Sequence, residues 1–182
     1  MSRIKLETER LILRCFTMDD AESMFRNWAS DPEVTRFMPY ETCETLEQTR
    51  SRIEEWFAYL EKTGLSCVFA IVLRNTHDLI GTIDYAMTDF GAKSAEVGYQ
   101  LGKRWWNAGY AAEALTAVIK HCFEDLDLNR IWAMHDPLNA ASGAVMRKAG
   151  MSYEGTLRKD GVRKGVLRDS ARYAILAEDY FG

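Results

Sequence analysis

The chain has 182 residues, 47% apolar and 27% charged, which gives one folded domain with a real core and excludes disorder. No apolar run reaches the ~18 residues of a membrane span, and a net charge of −4 excludes a strongly basic nucleic-acid binder. The opening MSRIKLETERLILR is charged throughout and lacks a signal peptide's apolar stretch, so a cytoplasmic chain with no membrane partner and no direct nucleic-acid binding is expected.

In chain order, Leu11-Ile12-Leu13 within RLILRCF reads as a first strand. A helix follows from about Asp19 to Ala29, stopped by Ser30-Asp31-Pro32. A second helix is expected from about Thr45 to Lys62, with Leu46, Ile53, Trp56, Phe57 and Leu60 as its apolar stripe and Gly64 as its end. Cys67–Leu73 and Leu79–Met87 then read as a hairpin across Arg74–Asp78, and Asp89–Lys93 turns the chain into a strand at Ala95–Leu101.

The apolar period next changes from 2 to 3.6. Tyr110, Ala111, Ala114, Leu115, Val118, Ile119, Cys122 and Phe123 mark a helix over Gly109–Asp125. Arg130–His135 is the following strand, Asn139 caps a short helix ending near Gly150, and strands at Tyr153–Arg158 and Gly165–Leu176 close the chain. The order βααβββαβαββ gives an α/β fold: about seven strands in a mixed sheet flanked by about four helices. With three prolines and no Gly/Ser-rich stretch there is no interdomain linker, so residues 1–182 form one domain. Cys15, Cys43, Cys67 and Cys122 are scattered and read as free thiols; with His77, His121 and His135 far apart, no metal is assigned.

Residues 1–90 carry 10 Lys/Arg against 16 Asp/Glu, and residues 91–182 carry 13 against 11, so an anionic ligand belongs to the second half. There the loop KRWWNAG joins a strand to the strongest helix. Small residues Ala108, Gly109, Ala111 and Ala112 let a ligand approach the backbone, and the open amides and dipole of a helix N-terminus favour a phosphate. Lys103 and Arg104 add charge beside it. A tight loop that binds nothing fits the same residues. No GxxxxGK[ST] is present, and no GxGxxG follows a strand.

The stretch GYQLGKRWWNAGYAAEAL resembles the acetyl-CoA-binding motif of the GCN5-related N-acetyltransferases, Q/R-x-x-G-x-G/A. Gly109 and Ala111 match its last two positions, whereas Trp106 stands where the family often has Gln or Arg and Asn107 where many members have Gly. LETERLILR, SDPEVTRFM and NAASGAVMRKAGMSYEGTLR extend the resemblance over nearly the whole chain, to the branch of the ribosomal-protein N-terminal (alanine) acetyltransferases. The resemblance implies a twisted mixed sheet whose central parallel strands, here Ala95–Leu101 and Arg130–His135, splay apart to admit acetyl-CoA. It also implies direct transfer of acetyl to an amine, most naturally the N-terminus of a ribosomal protein or peptide. An antibiotic, a polyamine or an amino acid is the alternative acceptor, and a CoA-binding sensor without turnover is a third reading. Monomer and homodimer stay open.

By this resemblance Glu96 is the general base, directly or through a water, and Ser142 the acid for the departing thiolate or a cofactor contact alone. A solvated strand carboxylate and a polar residue of a first helical turn would look the same. Cofactor contacts fall on Tyr99, Gln100, Leu101, Lys103, Arg104, Trp106, Asn107, Ala108, Gly109, Tyr110, Ala111, Asn139, Ser142 and Arg147, with Lys148 a second cation on the helix of Arg147. For the acceptor, Glu33, Arg36, Phe37, Met38, Tyr40 and Glu41 form a candidate loop, with negative charge from Asp84 and Asp169.

Overall fold

The structure, a computed structural model, describes residues 4–63 and 66–182. Among these described residues, eight strands form one mixed sheet in the order β1-β2-β3-β4-β5-β6-β8-β7. They are β1 (Lys5–Glu7), β2 (Leu11–Cys15), β3 (Ser66–Leu73), β4 (Leu79–Asp89), β5 (Ser94–Leu101), β6 (Arg130–His135), β7 (Ser152–Arg163) and β8 (Val166–Leu176). Six α-helices accompany them among the described residues: α1 (Ala21–Met24), α2 (Pro32–Thr35), α3 (Leu46–Thr63), α4 (Tyr110–Glu124), α5 (Ala140–Lys148) and α6 (Ala177–Phe181).

Two apolar layers cover the sheet. On one face Leu11, Leu13, Phe69, Ile71, Ile83 and Val97 pack against Leu115, Val118, Ile119 and Cys122 of α4. On the other, Val68, Ala70 and Val72 meet Met24, Trp28 and Ile53 from the α1 and α3 region. Alternating β3 residues therefore serve opposite cores, as the period of a strand requires.

The mixed sheet and the long helices match the expectation, and the differences have local causes. β1 is an added edge strand with Leu6 as its one apolar residue, too short a pattern to register in sequence. The Asp19–Ala29 helix is regular only over α1, between a 3₁₀ turn at Met18–Asp20 and a π-helical turn at Phe25–Ala29. Ser30-Asp31-Pro32 stops it and also starts another helix: Asp31 accepts from the Glu33 N–H at 2.8 Å, and Pro32 occupies the first turn of α2, where a missing N–H costs nothing. β7 runs on to Arg163 in a solvent-exposed hairpin, and α6 follows β8. Gly64, expected to end α3, lies outside the described residues.

The central feature is the junction of β5 and β6. These parallel strands pair only at Ser94–Arg130, Ala95–Ile131 and Glu96–Trp132. Both continue, β5 to Leu101 and β6 to His135, without further pairing. The sheet forks just beyond Glu96. α4 leads from the open end of β5 and α5 from the open end of β6, so both helix N-termini lie at the mouth of the fork. No helix among the described residues is long and apolar enough to cross a membrane.

Candidate active site

The loop from β5 to α4 has backbone that few residues tolerate. Asn107 has φ +59° and Gly109, the residue before α4, has φ +84°, the left-handed region that favours glycine. A Cβ on Gly109 would also stand 3.5 Å from Lys148 Nζ and 3.5 Å from an Arg10 Nη atom, so the start of α4 is flanked by two cations. Arg10 is fixed there. Its Nε donates to Glu113 at 2.7 Å, its Nη1 donates to the Ala108 carbonyl at 3.0 Å, and its guanidinium lies 4.5 Å over the Tyr110 ring. Glu113 also accepts from Thr8 Oγ1 at 2.6 Å. Burial alone would raise the Glu113 carboxyl, but the bonds from Thr8 and Arg10 outweigh it and hold the carboxyl below its usual value.

Two clefts open from the fork. The first, of about 410 Å³, lies at the N-termini of α4 and α5 and is walled on its other side by Glu33, Val34, Phe37 and Met38. The second, of about 360 Å³, lies over the polar face that β4 and β5 share: Thr82, Asp84, Glu96, Gly98 and Gln100. Phe37, Met38, Tyr99, Gln100, Asn139 and Ser142 line both, so the clefts meet at those residues. At the meeting point the Tyr99 hydroxyl donates to the Ser142 carbonyl at 2.9 Å and lies 2.9 Å from Ser142 Oγ, one hydroxyl donating to the other. Asn139 caps α5 by accepting from the Ser142 N–H at 3.4 Å, which sets Ser142 in the first turn.

Residues 10–152 match the acetyltransferase (GNAT) domain. The chain belongs to the GNAT acetyltransferase family. It is 36% identical to the uncharacterized N-acetyltransferase p20 of Bacillus licheniformis, over 97% of this chain and 98% of that protein. The [ribosomal protein uS5]-alanine N-acetyltransferase of Escherichia coli is 25% identical, over 98% of this chain and 93% of its own. Among solved structures, a GNAT-family acetyltransferase from Bacillus anthracis superposes with a TM-score of 0.83 at 31% identity, covering 96% of this chain and 99% of that one.

Within this GNAT fold the residues singled out in sequence divide into groups. Tyr99, Gln100, Leu101, Trp106, Asn107, Gly109, Tyr110, Ala111, Asn139 and Ser142 all line the first cleft. Trp106 is 41% exposed and donates its indole N–H to the Leu101 carbonyl at 2.8 Å, while Trp105 packs against Gly102 beneath the loop. Lys103 pairs with Glu33, Arg104 lies 5.6 Å over Trp105, and Ala108 gives its carbonyl to Arg10; none of the three lines the cleft. Arg147 turns to the sheet, donating to the Tyr173 hydroxyl at 2.8 Å, and its neighbour Lys148 faces the cleft instead.

At the second cleft, Glu96 stands at the fork, half-buried. Burial raises its carboxyl above the usual value, and Arg172 pulls it back in part. Phe37, Met38 and Tyr40 of the expected loop line the second cleft, and the Tyr40 hydroxyl donates to Gln100, which in turn donates to Thr82 Oγ1 at 3.1 Å. Arg36 lies over Phe37, and Glu41 pairs with Lys164 at 3.5 Å. Asp169 accepts from the Lys159 N–H within the β7–β8 hairpin and lies outside both clefts. Asp84 is the titratable group the sequence understated. Burial pushes its carboxyl up to about 7, Glu96 adds to that, and the Gly98 N–H opposes it.

Proposed function

We propose that residues 1–182 form a single cytoplasmic N-acetyltransferase domain that moves acetyl from acetyl-CoA to the α-amine of a protein or peptide N-terminus. The observation that carries this reading is the pair of clefts that meet at Tyr99 and Ser142, one flanked by cations at a helix N-terminus and the other floored by carboxylates. The residues present suit the anionic part of acetyl-CoA: open amides at the start of α4, Lys148 beside them, and a glycine whose missing side chain leaves the backbone accessible. When bound, acetyl-CoA supplies the thioester that the amine attacks.

The chain's own groups then have separate tasks. Glu96 takes a proton from the amine nitrogen through a water, helped by a carboxyl that burial has made more basic. The Ser142 hydroxyl, held against Tyr99, protonates the departing sulfur. Phe37 and Met38 shield the junction from bulk water. An α-amine suits this equipment because its pKa, near 8 against about 10.4 for lysine, lets one carboxylate manage the proton at neutral pH. The E. coli relative named for ribosomal-protein alanine acetylation supports the same acceptor class. Thiol release from acetyl-CoA with a mixed panel of amines tests the reaction. Release that depends on an amine is expected; a chain that binds CoA and never releases thiol overturns it.

A further inference from the structure

Asp84 has the geometry of a group waiting for a cation. It faces Gly98 across the β4–β5 ladder, one strand from the fork, and its Oδ1 accepts the Gly98 N–H at 3.0 Å. A Cβ on residue 98 would stand 2.8 Å from that oxygen, so glycine is what lets the carboxylate lie over the β5 backbone. The titratable groups that feel the charge of Asp84 are Glu96 on β5 and Tyr40 from the loop after α2, with Cys67 on β3 acting through the sheet from its opposite face. Among the described residues no cation pairs with it. The nearby cations have other partners: Arg163 holds Asp136 at 3.3 Å and donates to Ser170 at 3.2 Å, Arg172 holds Asp160 at 3.0 Å, and Arg52 lies 4.0 Å over the Tyr40 ring. The acceptor cleft therefore carries two carboxylates, Asp84 and Glu96, without an ion-pair partner. A half-buried carboxylate with no counter-ion is still costly to a folded protein, and the cost is met when a ligand brings the charge.

We propose that Asp84 docks the acceptor as an ammonium ion and takes its first proton, which makes the substrate class a primary amine that is protonated in solution. The inference rests on the acetyl-transfer reading above and adds a residue to it. The step balances as follows. The ammonium gives one proton to Asp84 and becomes a free amine; its nitrogen bonds to the acyl carbon as the carbon–sulfur bond breaks. The second nitrogen proton leaves through the water on Glu96, the sulfur takes one from Ser142, which Glu96 makes good through solvent, and Asp84 later releases its proton to bulk water. The Lys164–Glu41 pair joins the β7–β8 turn to the loop of Tyr40, next in sequence to Arg163 and Tyr40, which line this cleft.

The test uses the whole chain saturated with CoA, which cannot react, and a short peptide with a free N-terminus, alongside thiol-release kinetics with acetyl-CoA. Asp84→Asn should weaken peptide binding and raise KM by roughly 10–100-fold, the range for losing a hydrogen bond to a charged group, with CoA affinity within about twofold. Gly98→Ala leaves every charge in place but displaces the carboxylate, and should shift both in the same direction; it decides the matter if Asp84→Asn does not fold. Peptide binding and KM within twofold of wild type in both variants overturn the role of Asp84, as does a wild-type chain that binds neither the peptide nor spermidine. Asp84-dependent binding without thiol release upholds the docking site and overturns acetyl transfer. Thiol release indifferent to Asp84 does the reverse.

Discussion

Replacing Asp84 by Asn should make the protein more stable while it impairs the enzyme. Asn keeps an oxygen to accept the Gly98 N–H, so the change removes charge and little else. In the folded chain the carboxyl ionises near 7, against 3.8 when unfolded. A gap of about three pH units at ~1.4 kcal/mol each sets an upper bound of ~4 kcal/mol, and partial contact with solvent reduces this to about 2–4 kcal/mol. The sign follows from proton binding. Between about pH 4 and 7 the folded state holds a proton that the unfolded state has lost, so wild-type stability falls through that window as pH rises, and the full penalty applies above it. For a chain of this size ~1 kcal/mol moves Tm by about 2–4 °C, so Asp84→Asn should melt roughly 4–16 °C above wild type at pH 8. The difference should shrink steadily toward pH 4. Thermal melts of both proteins across that range provide the check. A variant that melts below wild type at pH 8, or a gap that does not change with pH, would show that Asp84 already has its cation and would refute the argument.

Gly109→Val should weaken CoA binding at least tenfold by calorimetry, because φ +84° costs an L-residue about 1–2 kcal/mol and the branched side chain crowds the amides and Lys148. Lys103→Ala should change that affinity little, since Lys103 is exposed, lines no part of the cleft and is paired with Glu33. Glu96→Gln should lower kcat by roughly 10²–10⁴-fold and leave CoA affinity unchanged, with a pH–rate profile that loses its acidic limb; Ser142→Ala should lose less. Glu113→Gln should release Arg10 from the start of α4 and destabilise the fold by about 1–2 kcal/mol, measured by urea unfolding.

Most of the fold is legible in the sequence because most of its elements bury one face. Val97, Tyr99 and Leu101 alternate with Glu96, Gly98 and Gln100, and the 3.6-residue period of α4 needs no partner to be seen. What escapes is either short or exposed: β1 with one apolar residue, the outer part of β7, and the five-residue π-helical turn at Phe25–Ala29, which holds the wholly buried Trp28. The loop of the candidate site is legible for a similar reason, since strand, loop and helix follow one another in the chain. The choice between Arg147 and Lys148 is not, because adjacent helical residues point about 100° apart and only the position of Tyr173 decides which one turns to the sheet. Arg10 meets Glu113 from 103 residues away, and Asp84 meets Gly98 through the register of two strands. Such pairs depend on sheet order and register, which the local pattern does not carry.

One competition assay bears most directly on the account. The protein, with acetyl-CoA, receives a peptide with a free N-terminus, its N-blocked twin carrying a lysine, spermidine and an aminoglycoside at equal concentration, and the products are read by mass. The account predicts acetyl on the free α-amine ahead of the other three. Acetyl on the blocked peptide or on either polycation, with none on the α-amine, contradicts it.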